Sequence, residues 1–180
     1  MRQLVPVLAL AALGSAAAGG APTSWLGQKV DPAGTTFCRT YGCKLVEVIQ
    51  NGESTLGWHD GTQRSYRLRG GSRMEVEVRL QGWISNARLL TEPQPQKNGT
   101  FAMHPAHYPL AAEFLSAVTG RRFSAEKIAA CERAGVALNS VDAYGPTAPL
   151  SHWTTPGSLQ HKARCGINSQ VGVWAGWMQQ

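Results

Sequence analysis

Four cysteines carry the clearest chemistry in this chain of 180 residues. Cys38 and Cys43 lie close together, whereas Cys131 and Cys165 are distant from them and from each other. Of the three possible connectivities, we favour Cys38–Cys43 with Cys131–Cys165. Gly42 can relax the turn of the small ring that the first bond closes. A zinc site built from four cysteines needs two close pairs, and only one is present, so we expect two disulfides and no metal.

Six arginines between residues 64 and 88 could bind a polyanion, either a nucleic acid or an anionic polymer of the cell envelope. They are Arg64, Arg67, Arg69, Arg73, Arg79 and Arg88. The chain has a formal net charge of +6, but Glu75 and Glu77 fall among these arginines and offset part of their charge. We therefore expect mainly a solvated sheet face, with polyanion binding as an alternative.

The remaining reactive side chains match no catalytic motif. His104 and His107 are close in sequence, but a proline between them prevents a regular helix there. No nucleophile elbow of the form G-x-S-x-G occurs. Glu113, Glu126 and Glu132 are expected on the solvated faces of helices. The sequence thus predicts no catalytic residue, no cofactor and no metal ligand.

Six tryptophans are enough to build a sugar-binding surface, because exposed aromatic faces can stack on sugar rings. Glycine precedes Trp58, Trp83 and Trp177, which could present such faces at strand ends. Tryptophan is, however, usually highly buried in a domain of this size. We expect most of these side chains to pack in or beside the core, Trp83 among them.

The first eighteen residues are typical of an export signal. Arg2 precedes an apolar run over residues 4–13, and three alanines ending at Ala18 suit a cleavage site. The run is too short to span a bilayer core of ~30 Å as a helix, so we expect residues 1–18 to be removed. Ser15 stands where a lipid-accepting cysteine would be needed, so we expect no lipid anchor. No second apolar stretch approaches eighteen residues, so we expect no transmembrane anchor either. The prediction is a secreted or periplasmic protein, in a compartment where disulfides form.

The elements that position these residues follow from hydrophobic alternation and turn signals. From residue 44 onward, short alternating runs are divided by the dipeptides Asn51-Gly52, Asp60-Gly61, Gly70-Gly71 and Gln81-Gly82. This spacing of turns predicts five antiparallel strands over 44–50, 53–59, 63–69, 73–80 and 83–91. Two prolines in the polar stretch 92–99 then predict an exposed loop.

The third and fourth predicted strands must pair in a register that keeps their apolar residues on one face. A slip of one residue would turn one strand over, so the numbers of paired residues must have an even sum. We prefer the register that places Arg69 opposite Glu75 and Arg67 opposite Glu77, because opposite charges then match across the hairpin.

The fourth and fifth predicted strands meet at Gln81-Gly82, which suits a two-residue turn. Such a turn fixes the register of the hairpin and places three pairs on its core side. The pairs are Leu80 with Trp83, Val78 with Ser85, and Met74 with Leu89.

Two helices are predicted in the second half of the chain. Residues 108–119 carry apolar side chains at helical spacing, and Gly120 follows where a C-terminal cap belongs. Ser124 can cap a second helix over 125–134, which Gly135 would end. The buried stripe of this second helix includes the cysteine at its centre, where a disulfide partner could reach it.

Strands are predicted again over 136–143, 150–155, 159–167 and 171–177. The fold class is therefore α+β: an antiparallel meander of about five strands, two short helices, and three to four further antiparallel strands. We expect one disulfide-stapled domain over 37–180, preceded by a loosely ordered segment over 19–36.

These observations predict a function only in broad terms. We expect an exported small domain without catalysis, most consistent with a binding or envelope-associated protein whose partner is an envelope polymer or another protein. One alternative is an exported enzyme, such as a cell-wall hydrolase, whose site is assembled from scattered residues. The other is a polyanion binder that uses the arginines of the 64–88 hairpin.

Overall fold

A computed structural model describes residues 24–50, 61–137, 148–154, 160–167 and 171–177. Within these ranges the chain forms nine strands, three α-helices and two short 3-10 helices. The strands are β1 Lys44–Gln50, β2 Gly61–Arg67, β3 Arg73–Arg79, β4 Ile84–Leu90, β5 Pro93–Pro95, β6 Phe101–Met103, β7 Ala148–Thr154, β8 Gln160–Gly166 and β9 Gly172–Trp177. The α-helices are α1 Thr36–Tyr41, α2 Tyr108–Thr119 and α3 Ala125–Ala137, and the 3-10 helices are Pro32–Gly34 and Pro105–His107.

Seven of these strands form one antiparallel sheet in the order β1-β2-β3-β4-β9-β8-β7. Strands β1 to β4 are a meander, and the chain returns beside β4 only after the small β5–β6 sheet and the helices. The predicted α+β fold class is confirmed. The predicted strand over 53–59 lies outside the described residues, and β1 pairs directly with β2.

The register of the β2–β3 hairpin differs from the predicted charge match. Arg67 lies opposite Arg73, and Glu75 and Glu77 lie opposite Ser65 and Gln63. The even sum is kept, so the apolar residues do share a face, but the expected Arg69–Glu75 and Arg67–Glu77 pairs are wrong. The reason is a tighter turn, in which the Leu68 N–H donates to the Ser72 carbonyl at 2.9 Å and Gly71 takes a φ of 89°.

The β3–β4 hairpin confirms one predicted pair and corrects another. Met74 lies opposite Leu89, as expected. Val78 lies opposite Ile84 instead of Ser85, because the register shifts between Glu77 and Val78. This shift is a β-bulge, which adds a residue to one strand without a partner.

Leu80 and Trp83 do not form the predicted core pair. The Arg79 N–H donates to the Trp83 carbonyl at 2.9 Å, and the Gly82 N–H donates to the Arg79 carbonyl at 2.7 Å. Leu80 therefore lies in the turn, where it is 72% exposed, and Trp83 is half-buried.

Both predicted helices are present. Helix α2 has the predicted bounds, and Gly120 caps it with a φ of 67°. In α3 the Ser124 Oγ accepts the Lys127 N–H at 3.3 Å, as an N-cap does. Gly135 does not end this helix, which continues to residue 137, so a strand cannot begin at Val136. Residues 138–143 of that predicted strand lie outside the described residues.

The proline-containing stretch 92–99 is not wholly a loop. Pro93–Pro95 forms β5, which pairs with β6 in a two-stranded sheet. Proline is tolerated here because a strand in such a sheet has one edge whose N–H groups need no partner strand. The last three predicted strands agree with β7, β8 and β9 to within two residues at their ends.

The described part of the segment 19–36 packs against the helices. Trp25 and Leu26 are buried, and the Trp25 N–H donates to the Val118 carbonyl at 2.9 Å. The Trp25 ring makes edge-to-face contacts with Phe37 and Phe114. Aromatic burial thus holds this segment against α1 and α2. Residues 19–23 lie outside the described residues.

The core lies between one face of the large sheet and the helices α2 and α3. Both predicted disulfides are confirmed: Cys38–Cys43 joins α1 to the residue before β1, and Cys131–Cys165 joins α3 to β8. None of the helices among the described residues is long and apolar enough to cross a membrane.

Candidate functional site

A cleft of about 470 Å³ opens beside α3, between this helix, the small sheet and the start of α2. Its lining combines apolar side chains with amides, one carboxyl group and one guanidinium. The lining residues are Gln96, Asn98, Ala102, Met103, Pro105, Tyr108, Glu132, Arg133 and Val136. Concave, largely apolar sites with a few polar groups are typical of small-ligand binding.

Glu132 is the buried carboxyl group of this cleft. Its side chain is 1% exposed, and one oxygen, Oε2, accepts the Met103 N–H at 2.9 Å. The other oxygen, Oε1, is also buried and has no hydrogen-bond partner among the described residues. Buried polar atoms are nearly always hydrogen-bonded, so an unpaired one requires an explanation. A ligand that donates a hydrogen bond would provide it.

The expectation that Glu132 lies on a solvated helix face is wrong. On α3 it follows Ile128 by four residues and lies next to Cys131, and both of these are buried. Residues separated by four share a helix face, so the spacing from Ile128 was a signal in the sequence. Glu126 and Glu113, by contrast, are exposed as expected.

Burial raises the pKa of Glu132 from its ordinary value of 4.5 to about 7, although the Met103 hydrogen bond opposes this rise. Near neutral pH the carboxyl group is therefore present in both protonation states. It can accept a hydrogen bond when ionised and donate one when protonated.

Tyr108 and Arg133 lie beside this carboxyl group. Burial raises the pKa of the Tyr108 phenol, the charge of Glu132 raises it further, and Arg133 lowers it. The phenol therefore stays protonated at neutral pH and can donate a hydrogen bond. Arg133 is exposed and brings a positive charge to the rim of the cleft.

The turn between β5 and β6 holds Asn98 in place. Its Oδ1 accepts bonds from the Thr100 N–H at 3.1 Å and the Thr100 hydroxyl at 2.7 Å. Its Nδ2 donates to the Val136 carbonyl at 3.2 Å, which joins the turn to α3. These bonds fix the position of Asn98 in the lining of the cleft.

The six predicted arginines do not form a single surface. Arg73 and Arg88 both contact the Glu75 carboxylate, and Arg73 also pairs with Glu47 at 2.6 Å. The Arg79 guanidinium lies over the rings of Trp83 and Trp177, at 5.5 and 5.9 Å from their centroids.

The other three arginines occupy different positions, although Arg67 lies directly opposite Arg73. Arg64 points to the same face of β2 as Tyr66, whereas Arg67 is exposed at the end of that strand. Arg69 lies in the following turn, where its side chain approaches Gly42.

The polar face of β3 is not solvated as expected. Glu75 is 3% exposed and Glu77 is fully buried, and Glu77 accepts a bond from the Asn86 amide at 3.0 Å. The two carboxylates of this face are therefore bonded to side chains of the sheet itself, which sequence alternation alone could not show.

Histidines do not assemble a metal centre in the described part of the chain. The rings of His104 and His107 lie 6.1 Å apart, and His104 Nδ1 accepts the Ala106 N–H at 3.2 Å. No group of three or more histidine, cysteine, aspartate or glutamate side chains among the described residues could hold a metal ion.

No family model, curated protein or solved structure matches the chain.

Proposed function

We propose that this chain is an exported, non-catalytic binding protein that holds a polar, uncharged ligand of the cell envelope in the Glu132 cleft. One observation carries the proposal: Glu132, which lines a cleft of about 470 Å³, has a buried carboxylate oxygen without a hydrogen-bond partner among the described residues. An unpaired buried acceptor costs about 1–3 kcal/mol. A ligand hydroxyl or amide N–H that reaches Oε1 would recover that cost.

The rest of the lining supports a ligand with hydroxyl and amide groups. Asn98 and Gln96 add polar groups, and Met103 and Val136 offer apolar contact. Tyr108 supplies an aromatic ring with a hydroxyl donor. The positive charge of Arg133 at the rim disfavours a cationic ligand. An acetamido sugar from an envelope glycan combines the required groups.

Export rests on the sequence of the first eighteen residues, whose pattern is typical of a cleaved signal. The two disulfides support this, since such bonds persist in oxidising compartments. The proposed location is outside the cell or in a periplasm.

An exported hydrolase is the second candidate, because a carboxyl group with a pKa of about 7 suits general acid–base catalysis. Glycoside hydrolysis generally uses a pair of carboxyl groups on the two sides of the scissile bond. The described lining of the cleft contributes one, Glu132. Binding is therefore the better supported function.

The test is a calorimetric titration of the exported chain with an N-acetylglucosamine trisaccharide. We expect saturable binding that weakens about tenfold in Glu132→Gln, where an amide replaces the free acceptor. Glu126→Gln is the matched control, because Glu126 is exposed on the same helix. Absence of binding, or equal affinity in Glu132→Gln, would overturn the proposal. Release of shorter sugars during the titration would favour the hydrolase instead.

A further inference from the structure

Strand β1 carries exposed apolar side chains next to a group of positive charges. In the described part of the chain, β1 is the last strand at its end of the large sheet, with β2 as its partner. Leu45 is 53% exposed, Val46 55% and Val48 44%. Natural proteins usually protect such edge strands with charges, prolines or bulges. Exposed aliphatic side chains that are grouped, instead of scattered singly, indicate a contact surface.

Two of the positive charges face each other across β1 and β2. Lys44 lies directly opposite Arg67, so the two side chains share one face of the sheet, and both are exposed. Arg67 in turn lies opposite Arg73, which extends the row of cations to a third strand. Like charges directly opposite each other destabilise a sheet. An anion bound along this row would therefore be favourable.

Arg69 brings a third exposed charge to the same end of β1. Its backbone N–H donates to the Tyr41 carbonyl at 2.9 Å, and a Cβ added to Gly42 would lie 3.3 Å from its Nε. The disulfide Cys38–Cys43 closes a ring that contains Gly42, and Lys44 follows this ring directly. The ring and the backbone hydrogen bond therefore hold Arg69 beside the start of β1.

Nearby carboxylates do not neutralise these three cations. Glu47 pairs with Arg73 at 2.6 Å. Glu75 contacts both Arg73 and Arg88, so two carboxylates balance two guanidinium groups. Glu113, on α2, accepts a tyrosine hydroxyl at 2.7 Å. Within the described ranges no ion pair involves the three cations, and this end of the sheet keeps an excess positive charge.

We propose that the exposed aliphatic and cationic side chains at β1 form a docking surface for an anionic lipid membrane, separate from the Glu132 cleft. This β1 surface consists of Lys44, Leu45, Val46, Val48, Arg67 and Arg69. Lipid phosphate groups pair with the cations, and the aliphatic side chains enter the boundary between headgroups and acyl chains. A nucleic acid or a sulfated polysaccharide would satisfy the charges but leave the aliphatic side chains in water. A lipid surface accounts for both.

The test is flotation of the exported chain with vesicles made of equal parts of phosphatidylglycerol and phosphatidylcholine. We expect the chain to float with these vesicles and much less with vesicles of phosphatidylcholine alone. The double variant Arg67→Gln/Arg69→Gln should bind about thirtyfold more weakly, because each basic residue near an anionic surface contributes about fivefold in affinity. Lys97→Gln/Arg122→Gln is the matched control, since it removes the same charge from exposed positions on other elements. It should bind far more tightly than the first double variant.

Val46→Thr tests the apolar part of the β1 surface. Threonine keeps the branched shape but offers less apolar contact, so vesicle binding should weaken about fivefold. Leu80→Thr is its control, because Leu80 is 72% exposed in the turn between β3 and β4. That variant should bind as the unaltered protein does. Thermal unfolding of each variant shows whether the fold is intact.

Three results would overturn the membrane proposal. The first is absence of binding to the anionic vesicles, and the second is an equal loss in the two double variants. The third is a Val46→Thr variant with unchanged vesicle affinity. Together with weaker heparin retention of Arg67→Gln/Arg69→Gln, that third result would assign the cations to a soluble polyanion. Together with a change from dimer to monomer in sedimentation, it would assign β1 to a contact between two copies of the chain.

Discussion

The Met103 N–H donates to Glu132 Oε2 at 2.9 Å, and this bond joins the end of β6 to the buried face of α3. It fixes one oxygen of the carboxyl group, while the other, Oε1, is buried without a hydrogen-bond partner among the described residues. A group that is half-satisfied and buried has a free energy that depends strongly on its charge. The free energy of unfolding should therefore depend on the protonation state of Glu132.

Glu132→Gln should remove a pH dependence of the free energy of unfolding. The pKa in the folded state is about 7, against an ordinary 4.5, so the folded protein favours the protonated form. This contribution is fully present below pH 4.5 and is lost as pH rises through 7, for a total of about 3 kcal/mol. Urea unfolding between pH 4 and pH 9 measures it.

Glu126→Gln serves as control for the same series, since Glu126 is exposed on α3. It should keep the decline in stability above neutral pH that Glu132→Gln loses. If the unfolding free energies of Glu132→Gln and the unaltered protein run parallel over this range, the buried carboxyl group does not titrate as argued.

The two disulfides should contribute unequally to stability. Cys131–Cys165 closes a loop with a sequence separation of 34, and Cys38–Cys43 one of 5. In the chain-entropy model the longer loop contributes about 4 kcal/mol and the shorter about 2 kcal/mol. The double alanine variants of each pair, compared by denaturant unfolding, should show that order. Equal losses would mean that native-state contacts, not loop closure, set the stabilisation.

Glu75→Gln should destabilise the fold much more than Glu47→Gln. Both carboxylates pair with Arg73, but Glu75 is buried and also contacts the buried Arg88, whereas Glu47 is about half exposed. Removing the counter-charge of a buried arginine costs about 3–5 kcal/mol, and an exposed pair is worth about 0.2–1 kcal/mol. Thermal unfolding of both variants at low and high salt tests this. Similar losses would contradict the buried network.

Local patterns in the sequence predicted much of the fold. Helical spacing and the glycine cap predicted the bounds of α2, and sequence proximity favoured the Cys38–Cys43 pair. The predicted hairpin registers were wrong at two features that hydrophobic alternation does not determine. These are the turn at Gly71 and the bulge after Glu77. Both depend on backbone hydrogen bonds across the sheet, which side-chain types do not determine.

The candidate sites were harder to predict, because each is made by burial of polar residues. Charge alone suggested that Glu132 and Glu75 are solvated, yet packing from distant segments encloses both. The spacing from Ile128 to Glu132 was the one local signal that sequence reasoning could have used.

The last prediction concerns the junction of β4 and β9, on which the order of the large sheet depends. Gly172 lies opposite Leu90, and a Cβ added there would be 1.9 Å from the Leu89 carbonyl oxygen. That oxygen belongs to the backbone of a buried strand and cannot rotate away, so Gly172→Ala should cost about 3 kcal/mol. Gly34→Ala is the control, because nothing lies within 4 Å of its Cβ position. It should leave stability unchanged or raise it by about 0.4–1 kcal/mol. Denaturant unfolding measures the stability of both variants. A Gly172→Ala variant as stable as Gly34→Ala would show that β9 does not pair with β4 in this register.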